Sequence, residues 1–331
     1  MSDYRDVLVF GEISEGELST STLELLGGGR EIADELGEEL FIVLIGSDIG
    51  ALAPEAIASG ADKAYMADDP QLKDYRTDSY LSVMESIIQQ VMPKIVLMGQ
   101  TTIGRDLAPR LAFRLESAAT MDCVALSIDP DLRRLLQTKP VYGGIALAVY
   151  TSDSDPQIAT VRAKILSPLE PDPSRKGEVV AVEVDLDPSA ERTVVLEKIK
   201  EEIEGIKLED APVVISGGRG IGGAEGFKQL AELAKLMKGA VGASRPACDS
   251  GWMPDTSQVG LTGKIVAPDF YLAIGISGSS QHMTGCSGSK NIVAINKDPE
   301  ANIFKEAHYG VIGDWKKILP VFTEKVKELL G

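Results

Sequence analysis

Between Ala211 and Asp314 five apolar runs each end in a cluster of small and polar residues. The clusters are Ser216–Gly223, Gly242–Arg245, Gln258–Lys264, Ile276–His282 and Ile295–Pro299. Short apolar runs separated by helical periods pair in parallel, and a parallel sheet gathers its strand ends on one edge, where ligands bind. The five clusters therefore describe the wall of one extended dinucleotide site.

The N-terminal half alternates in the same way. Asp6–Phe10, Leu40–Ile45, Ala64–Met66 and Ile95–Met98 read as buried strands. Between them Ser21–Leu36, Ala53–Ser59, Tyr80–Met92 and Ile103–Leu115 carry helical periodicity; Leu107, Leu111 and Leu115 fall on one face. The pattern predicts a three-layer α/β sandwich. Thr120–Ile128, Gly143–Tyr150, Ile158–Ala163 and Glu178–Val184 read as further strands extending that first sheet, and Ser167–Lys176 as a surface loop. The Glu- and Lys-rich stretch Ala190–Ala211 marks the boundary. The expected fold is two doubly wound parallel-sheet α/β domains, 1–207 and 208–331, the second Rossmann-like. In the second, Val213–Ser216, Ala240–Ala243, Lys264–Ala267, Tyr271–Ile276, Asn291–Asn296 and Gly310–Gly313 are the expected strands.

Gly218-Arg219-Gly220-Ile221-Gly222-Gly223 matches G-x-G-x-x-G between a strand and a helix, the context in which backbone amides hold a phosphate. The same glycines also suit a plain tight turn. A nicotinamide fingerprint calls for an acid at the end of the second strand, but that strand ends Ala243-Ser244-Arg245. Arg245 instead suits an electron-rich ring, or the 2′-phosphate of NADP in an alternative reading as an oxidoreductase subunit. His282, one of two histidines, follows Ser277-Gly278-Ser279-Ser280-Gln281 at a strand end. Gln258, Thr262 and Lys264 lie within seven residues and suggest a polar pocket wall. Asn296 sits at a strand tip; Asp298 and Asp314 read equally as turn or cap residues and as ligand contacts.

Composition excludes several classes. A net charge of −17 opposes nucleic-acid binding, which requires clustered Lys and Arg in excess. Cys123, Cys248 and Cys286 form no metal-ligand spacing, and no Ser-His-Asp set, zinc motif or P-loop lysine is present. The first residues enter a strand without a basic or apolar leader, so the cytoplasm is the expected compartment.

In this order the clusters resemble the α subunit of electron transfer flavoproteins. The resemblance runs through SGGRG, GASRP, QVG.TGK, Y.A.GISG..QH, K.IVAINKDP and YG..GD, and reaches the N-terminal half at Gly99-Gln100 and Gly104-Arg105-Asp106-Leu107-Ala108-Pro109-Arg110. It implies one FAD held by the C-terminal domain, with the N-terminal domain contacting a homologous β subunit. Arg245 would lie against the isoalloxazine with Ser244 beside it. Thr262 would approach flavin N5, and His282 would face the C2 carbonyl. Gln258, Gln281, Gly263 and Ser277, Gly278, Ser279 and Ser280 would line the cofactor. Asn296 and Asp314 would serve the adenosine end, with Arg219 in the glycine-rich turn nearby. A fixed cation beside the ring favours its negatively charged reduced form, because guanidinium is permanently charged and stacks on rings. The implied role is an electron carrier rather than an enzyme with its own small-molecule substrate. Its donor would be an acyl-CoA dehydrogenase or similar flavoprotein dehydrogenase, as in fatty acid β-oxidation; its acceptor would be a quinone reductase, ferredoxin or NADH according to subclass. A simple shuttle and a flavin-based bifurcating form both remain open.

Overall fold

Apolar runs without polar alternation become strands buried on both faces; LFIVLIG at Leu40–Gly46 is buried at every residue. The computed structural model describes residues 4–144, 146–186, 192–198 and 206–330. It separates into two compact units, Met1–Lys198 and Ile199–Gly331. The division expected after Lys207 falls further along the chain. Parts of the Ala190–Ala211 boundary segment (190–191 and 199–205), and Ile145 in the expected strand Gly143–Tyr150, lie outside the described residues.

In the first unit β1 (Arg5–Gly11) leads through a short hairpin, β2 (Ile13–Ser14) and β3 (Glu17–Leu18), into α1 (Thr20–Leu36). Then come β4 (Leu40–Gly46), α2 (Leu52–Ala58), β5 (Lys63–Asp68), α3 (Thr77–Val91), β6 (Pro93–Gly99) and α4 (Thr102–Arg114). Five of the six later strands are β7 (Ala119–Cys123), β8 (Ala125–Ile128), β9 (Leu135–Val141), β10 (Ala146–Tyr150) and β11 (Gln157–Val161); the last is β12 (Glu178–Ala181). Seven strands form one parallel sheet in the order β12-β5-β4-β1-β6-β11-β7. Leu25, Leu26 and Ala53 from α1 and α2 cover one face, and Met84, Ile88, Leu107 and Leu111 from α3 and α4 the other.

The later strands do not all extend this sheet. β7, β11 and β12 do, whereas β8, β9 and β10 form a separate antiparallel sheet. Thr120–Ile128, expected as one strand, is split because Asp122 takes a left-handed conformation (φ 64°) and the chain leaves the first sheet there. β9 was not expected, since its charged lead-in and Pro140 argue against a strand. Pro140 is tolerated because at that level β9 pairs only with β10, so the missing N–H costs no ladder bond on the other side.

The second unit contains β13 (Val213–Gly217), α5 (Ala224–Leu236), β14 (Ala240–Ala243), α6 (Arg245–Asp249), β15 (Phe270–Ile274) and α7 (Ser280–Met283). It ends with β16 (Ile292–Asn296), α8 (Ile303–Glu306), β17 (Tyr309–Ile312) and α9 (Trp315–Leu330). Its parallel sheet runs β14-β13-β15-β16-β17. This is the doubly wound order 2-1-3-4-5, rather than the 3-2-1-4-5-6 order of dinucleotide folds. Phe227, Leu230, Trp315 and Leu319 from α5 and α9 seal one face. Turns and single-turn helices cover the other through Val259, Val266, Met283, Cys286 and Ile303. Lys264–Ala267 is not a strand; it makes one isolated bridge, Val259↔Lys264, because Gly260 (φ 145°) turns the chain back before a ladder can form.

Candidate functional site

A cavity of about 880 Å³ opens at the carboxyl edge of the second sheet. The ends of four successive strands line it: Arg219 and Gly220 after β13, Ser244–Pro246 after β14, Ile276, Ser277 and Ser279 after β15, and Asn296 at the tip of β16 with Lys297 and Asp298 after it. The Gln258–Thr262 turn and Gln281 and His282 of α7 complete the wall. Because β14 and β15 flank β13, the sheet changes winding direction here, which is where a doubly wound sheet opens a crevice. The crossing loops are pressed together: a Cβ on Gly218 would stand 2.2 Å from the Gly275 carbonyl oxygen. Only glycine allows that approach.

The polar side chains are held by their neighbours. Gln258 Nε2 donates to Thr262 Oγ1 at 3.0 Å. Asn296 Nδ2 donates to the Ile276 carbonyl at 2.9 Å, while its Oδ1 accepts from the Asp298 N–H at 3.1 Å. Asn296 therefore ties the loop after β15 to the loop after β16. Arg245 stands at the lip with its side chain 65% exposed, and its Nε lies 3.6 Å from Asp249 Oδ2. An ion pair so exposed is weak, and it leaves the guanidinium able to turn onto a ligand. In a chain of net charge −17 this cavity brings three cations, Arg219, Arg245 and Lys297, beside two carboxylates, Asp298 and Glu300.

His282 is the most deeply buried of three buried polar residues in the wall, 6% exposed beside Ser244 and Gln258. Its Nε2 lies 2.9 Å from the hydroxyl of fully buried Tyr271, and its Nδ1 has no hydrogen-bond partner. Burial lowers its pKa to about 4, the Val259 backbone acting in the opposite direction, so the ring is neutral near pH 7.

Ten of the fourteen residues that the resemblance assigns to the cofactor line this one cavity: Arg219, Ser244, Arg245, Gln258, Thr262, Ser277, Ser279, Gln281, His282 and Asn296. Four do not. Gly263 packs on Gln258, where a Cβ would meet the Gln258 carbonyl oxygen at 2.4 Å. Gly278, left-handed at φ 79°, passes the Ile303 backbone, which a Cβ would approach to 2.2 Å. Ser280 is exposed, and its carbonyl accepts from Thr284 Oγ1 at 2.8 Å. Asp314 caps α9, its Oδ1 accepting from the Lys316 N–H at 3.0 Å. Lys264 pairs with Glu209 instead of facing the cavity. Glu300, Ala301 and Asn302 are lining residues outside the clusters named in the sequence. Lys297 was signalled by its place in the Asn296–Pro299 cluster; Ala301 and Asn302 lie beyond Pro299, where only the return of the loop brings them in.

An FAD-sized ligand fits the chemistry of this wall, since an orphaned buried Nδ1, uncapped hydroxyls and cations meet at one crevice. Residues 7–187 match the family described as "Electron transfer flavoprotein domain", and residues 207–287 the family described as "Electron transfer flavoprotein FAD-binding domain". The chain is 43% identical over 330 residues to the electron transfer flavoprotein subunit alpha of Thermoanaerobacterium thermosaccharolyticum, covering 99% of this chain and 100% of that protein. It is 43% identical over 334 residues to the protein of the same name from Megasphaera elsdenii, covering 100% and 99%. With the acryloyl-CoA reductase electron transfer subunit beta of Anaerotignum propionicum it shares 37% over 356 residues, covering 99% and 97%.

Proposed function

Because the chain belongs to the electron transfer flavoprotein α-subunit family, we propose that it binds one FAD in the cavity of its second unit and works as the α chain of a heterodimeric electron carrier. The observation that carries this reading is the convergence of Arg245, Thr262 and His282 on one wall of a single cavity. When bound, FAD supplies reversible one-electron chemistry. The chain supplies the surroundings. Arg245 brings a permanent charge to the lip, Thr262 presents a hydroxyl oriented by Gln258, and neutral His282 offers an unpaired ring nitrogen. Arg219 and Asn296 belong to the adenosine and phosphate half of the cavity. Water is excluded on the far side by the apolar packing of Val259, Met283 and Cys286.

The partner is a β subunit, the donor an acyl-CoA dehydrogenase or an equivalent dehydrogenase within a bifurcating assembly, and the acceptor a further redox protein. The name of the Anaerotignum propionicum relative, which couples electron transfer to an acyl-CoA reductase, supports a partner of that chemical class. Among the described residues no helix is long and apolar enough to cross a membrane.

Purification of the chain coexpressed with a β subunit tests the reading. A yellow complex with about one FAD per pair is the expected result. A colourless complex that added FAD fails to restore would overturn it.

A further inference from the structure

The wall of the cavity rests on a second layer of polar groups that takes no part in lining it. Tyr271 is fully buried in the middle of the sheet, and its hydroxyl lies 2.9 Å from His282 Nε2. Ser216, on the neighbouring strand β13, is equally buried, and its hydroxyl has no hydrogen-bond partner. The nearby Cys286 thiol directs its hydrogen to the His282 carbonyl, with Sγ and oxygen 3.7 Å apart. Burial pushes that thiol up to about 12, so it is a neutral, weak acceptor.

These surroundings decide the direction of the Tyr271–His282 bond. A phenol is a better donor than a neutral imidazole N–H, and an imidazole lone pair is a better acceptor than a phenol oxygen or a thiol. With the thiol hydrogen already directed at the His282 carbonyl, and Nε2 the acceptor 2.9 Å from the phenol oxygen, the phenolic hydrogen goes to Nε2. Which nitrogen of a histidine carries the proton is set by the bond that the other one makes. We propose that Tyr271 is a positioning residue that locks His282 in the Nδ1–H tautomer, so that a neutral hydrogen-bond donor, and not an acceptor, stands at the cavity wall. The partner it fits is an acceptor atom that gains negative charge, such as a ring carbonyl oxygen. That last step rests on the reading of the cavity as a flavin site; the tautomer does not.

The second histidine provides an internal reference. His308 Nδ1 accepts from the Ile292 N–H at 2.9 Å, which requires its proton on Nε2. The chain has two histidines, so 15N-histidine labelling of the full chain yields two ring systems of opposite tautomer. The expected spectrum shows His308 protonated at Nε2 and His282 at Nδ1 at pH 7. A His282 protonated at Nε2 in the unaltered chain overturns the proposal with no mutation involved. Tyr271→Phe should release the lock, moving part of the His282 signal to the Nε2–H form and weakening FAD binding about fivefold, as expected for one neutral hydrogen bond. In a His282→Ala background the same change should leave FAD affinity unaltered. A Tyr271→Phe spectrum identical to the unaltered one, or an equal loss of affinity in both backgrounds, also overturns it. If FAD fails to bind at all while the two tautomers are as stated, the flavin reading falls and the lock stands.

Discussion

The two units are built on parallel sheets of the same kind, yet they use their strand-end hydroxyls differently. In the first unit Ser19 caps α1 by accepting from the Thr22 N–H, and Thr101 caps α4 by accepting from the Gly104 N–H. In the second unit Ser244 and Ser279 hold the same positions ahead of α6 and α7 and make no side-chain cap bond. The covering layers differ as well. Four helices seal both faces of the first sheet, whereas one face of the second is closed by turns and single-turn helices. Where hydroxyls serve their own helices, the edge is finished. Where they are left uncapped beside a cavity, the hydrogen-bonding capacity is available to a ligand.

The sharpest way to break this contrast is to ask whether the open edge is softer. A Cβ on Gly104 would stand 1.9 Å from the Gly99 carbonyl oxygen, and one on Gly218 would stand 2.2 Å from that of Gly275. Gly104→Ala and Gly218→Ala should each cost about 3 kcal/mol in urea unfolding followed by unit-resolved proteolysis. A Gly218→Ala cost below about 1 kcal/mol would mean that the second unit's loops yield, and the contrast would become one of rigidity.

The units should also respond to pH with opposite sign. In the first, burial pushes Glu12 up to about 7 even though Thr101 Oγ1 donates to its Oε1 at 2.6 Å. The folded chain then keeps a proton that the unfolded chain releases, so this contribution is complete below pH 4.5 and is lost as pH rises to about 7. In the second, His282 is lowered to about 4 from 6.5, so the unfolded chain binds the proton first. Its contribution is complete above pH 6.5 and is lost as pH falls toward 4. Each effect is on the order of 3 kcal/mol at most. Hydrogen exchange followed separately in the two units should show the first weakening from pH 5 to 7 and the second from pH 6.5 to 4.5. Glu12→Gln should flatten the first curve alone; a flattened second curve would show that the units are coupled.

Smaller effects sharpen the point at single residues. Arg245→Ala should weaken FAD binding on the order of tenfold with little change in unfolding, since its pair with Asp249 is exposed. Thr101→Ala should cost about 1–2 kcal/mol of stability, because it removes a cap and strips Glu12 of its partner. Ser244→Ala should cost only a few tenths, with no cap bond to lose, and should act on flavin affinity instead. A Ser244→Ala destabilisation equal to that of Thr101→Ala would erase the distinction.

Much of this was legible in the sequence, for local reasons. The strands at Leu40–Gly46 and Ala240–Ala243, and the helix at Thr102–Arg114, follow from apolar runs and helical periodicity. The cavity wall was legible because a parallel sheet collects its strand ends, and so the polar clusters at Ser244-Arg245 and Ser277–His282 meet. Asp314 was ambiguous because one short acidic side chain suits a helix cap and a ribose equally well; its bond to the Lys316 N–H is what the fold makes of it. β9 escaped, and β8 and β10, expected as strands, join a separate sheet, because leaving one sheet for another depends on a left-handed Asp122 and on which strand Pro140 faces. Neither is written in hydrophobic period.

The amino-acid order alone determined two α/β units with parallel sheets and a polar ligand edge on the second, since strand burial and helix periodicity are properties of neighbouring residues. Tertiary structure alone decided that Tyr271 in the sheet reaches His282 on α7, that Asn302 returns to the cavity, and that Lys264 turns away to Glu209. Such contacts depend on distances between segments that no local pattern encodes. A histidine's tautomer is the extreme case, because one proton's position follows from a hydrogen bond made across the core.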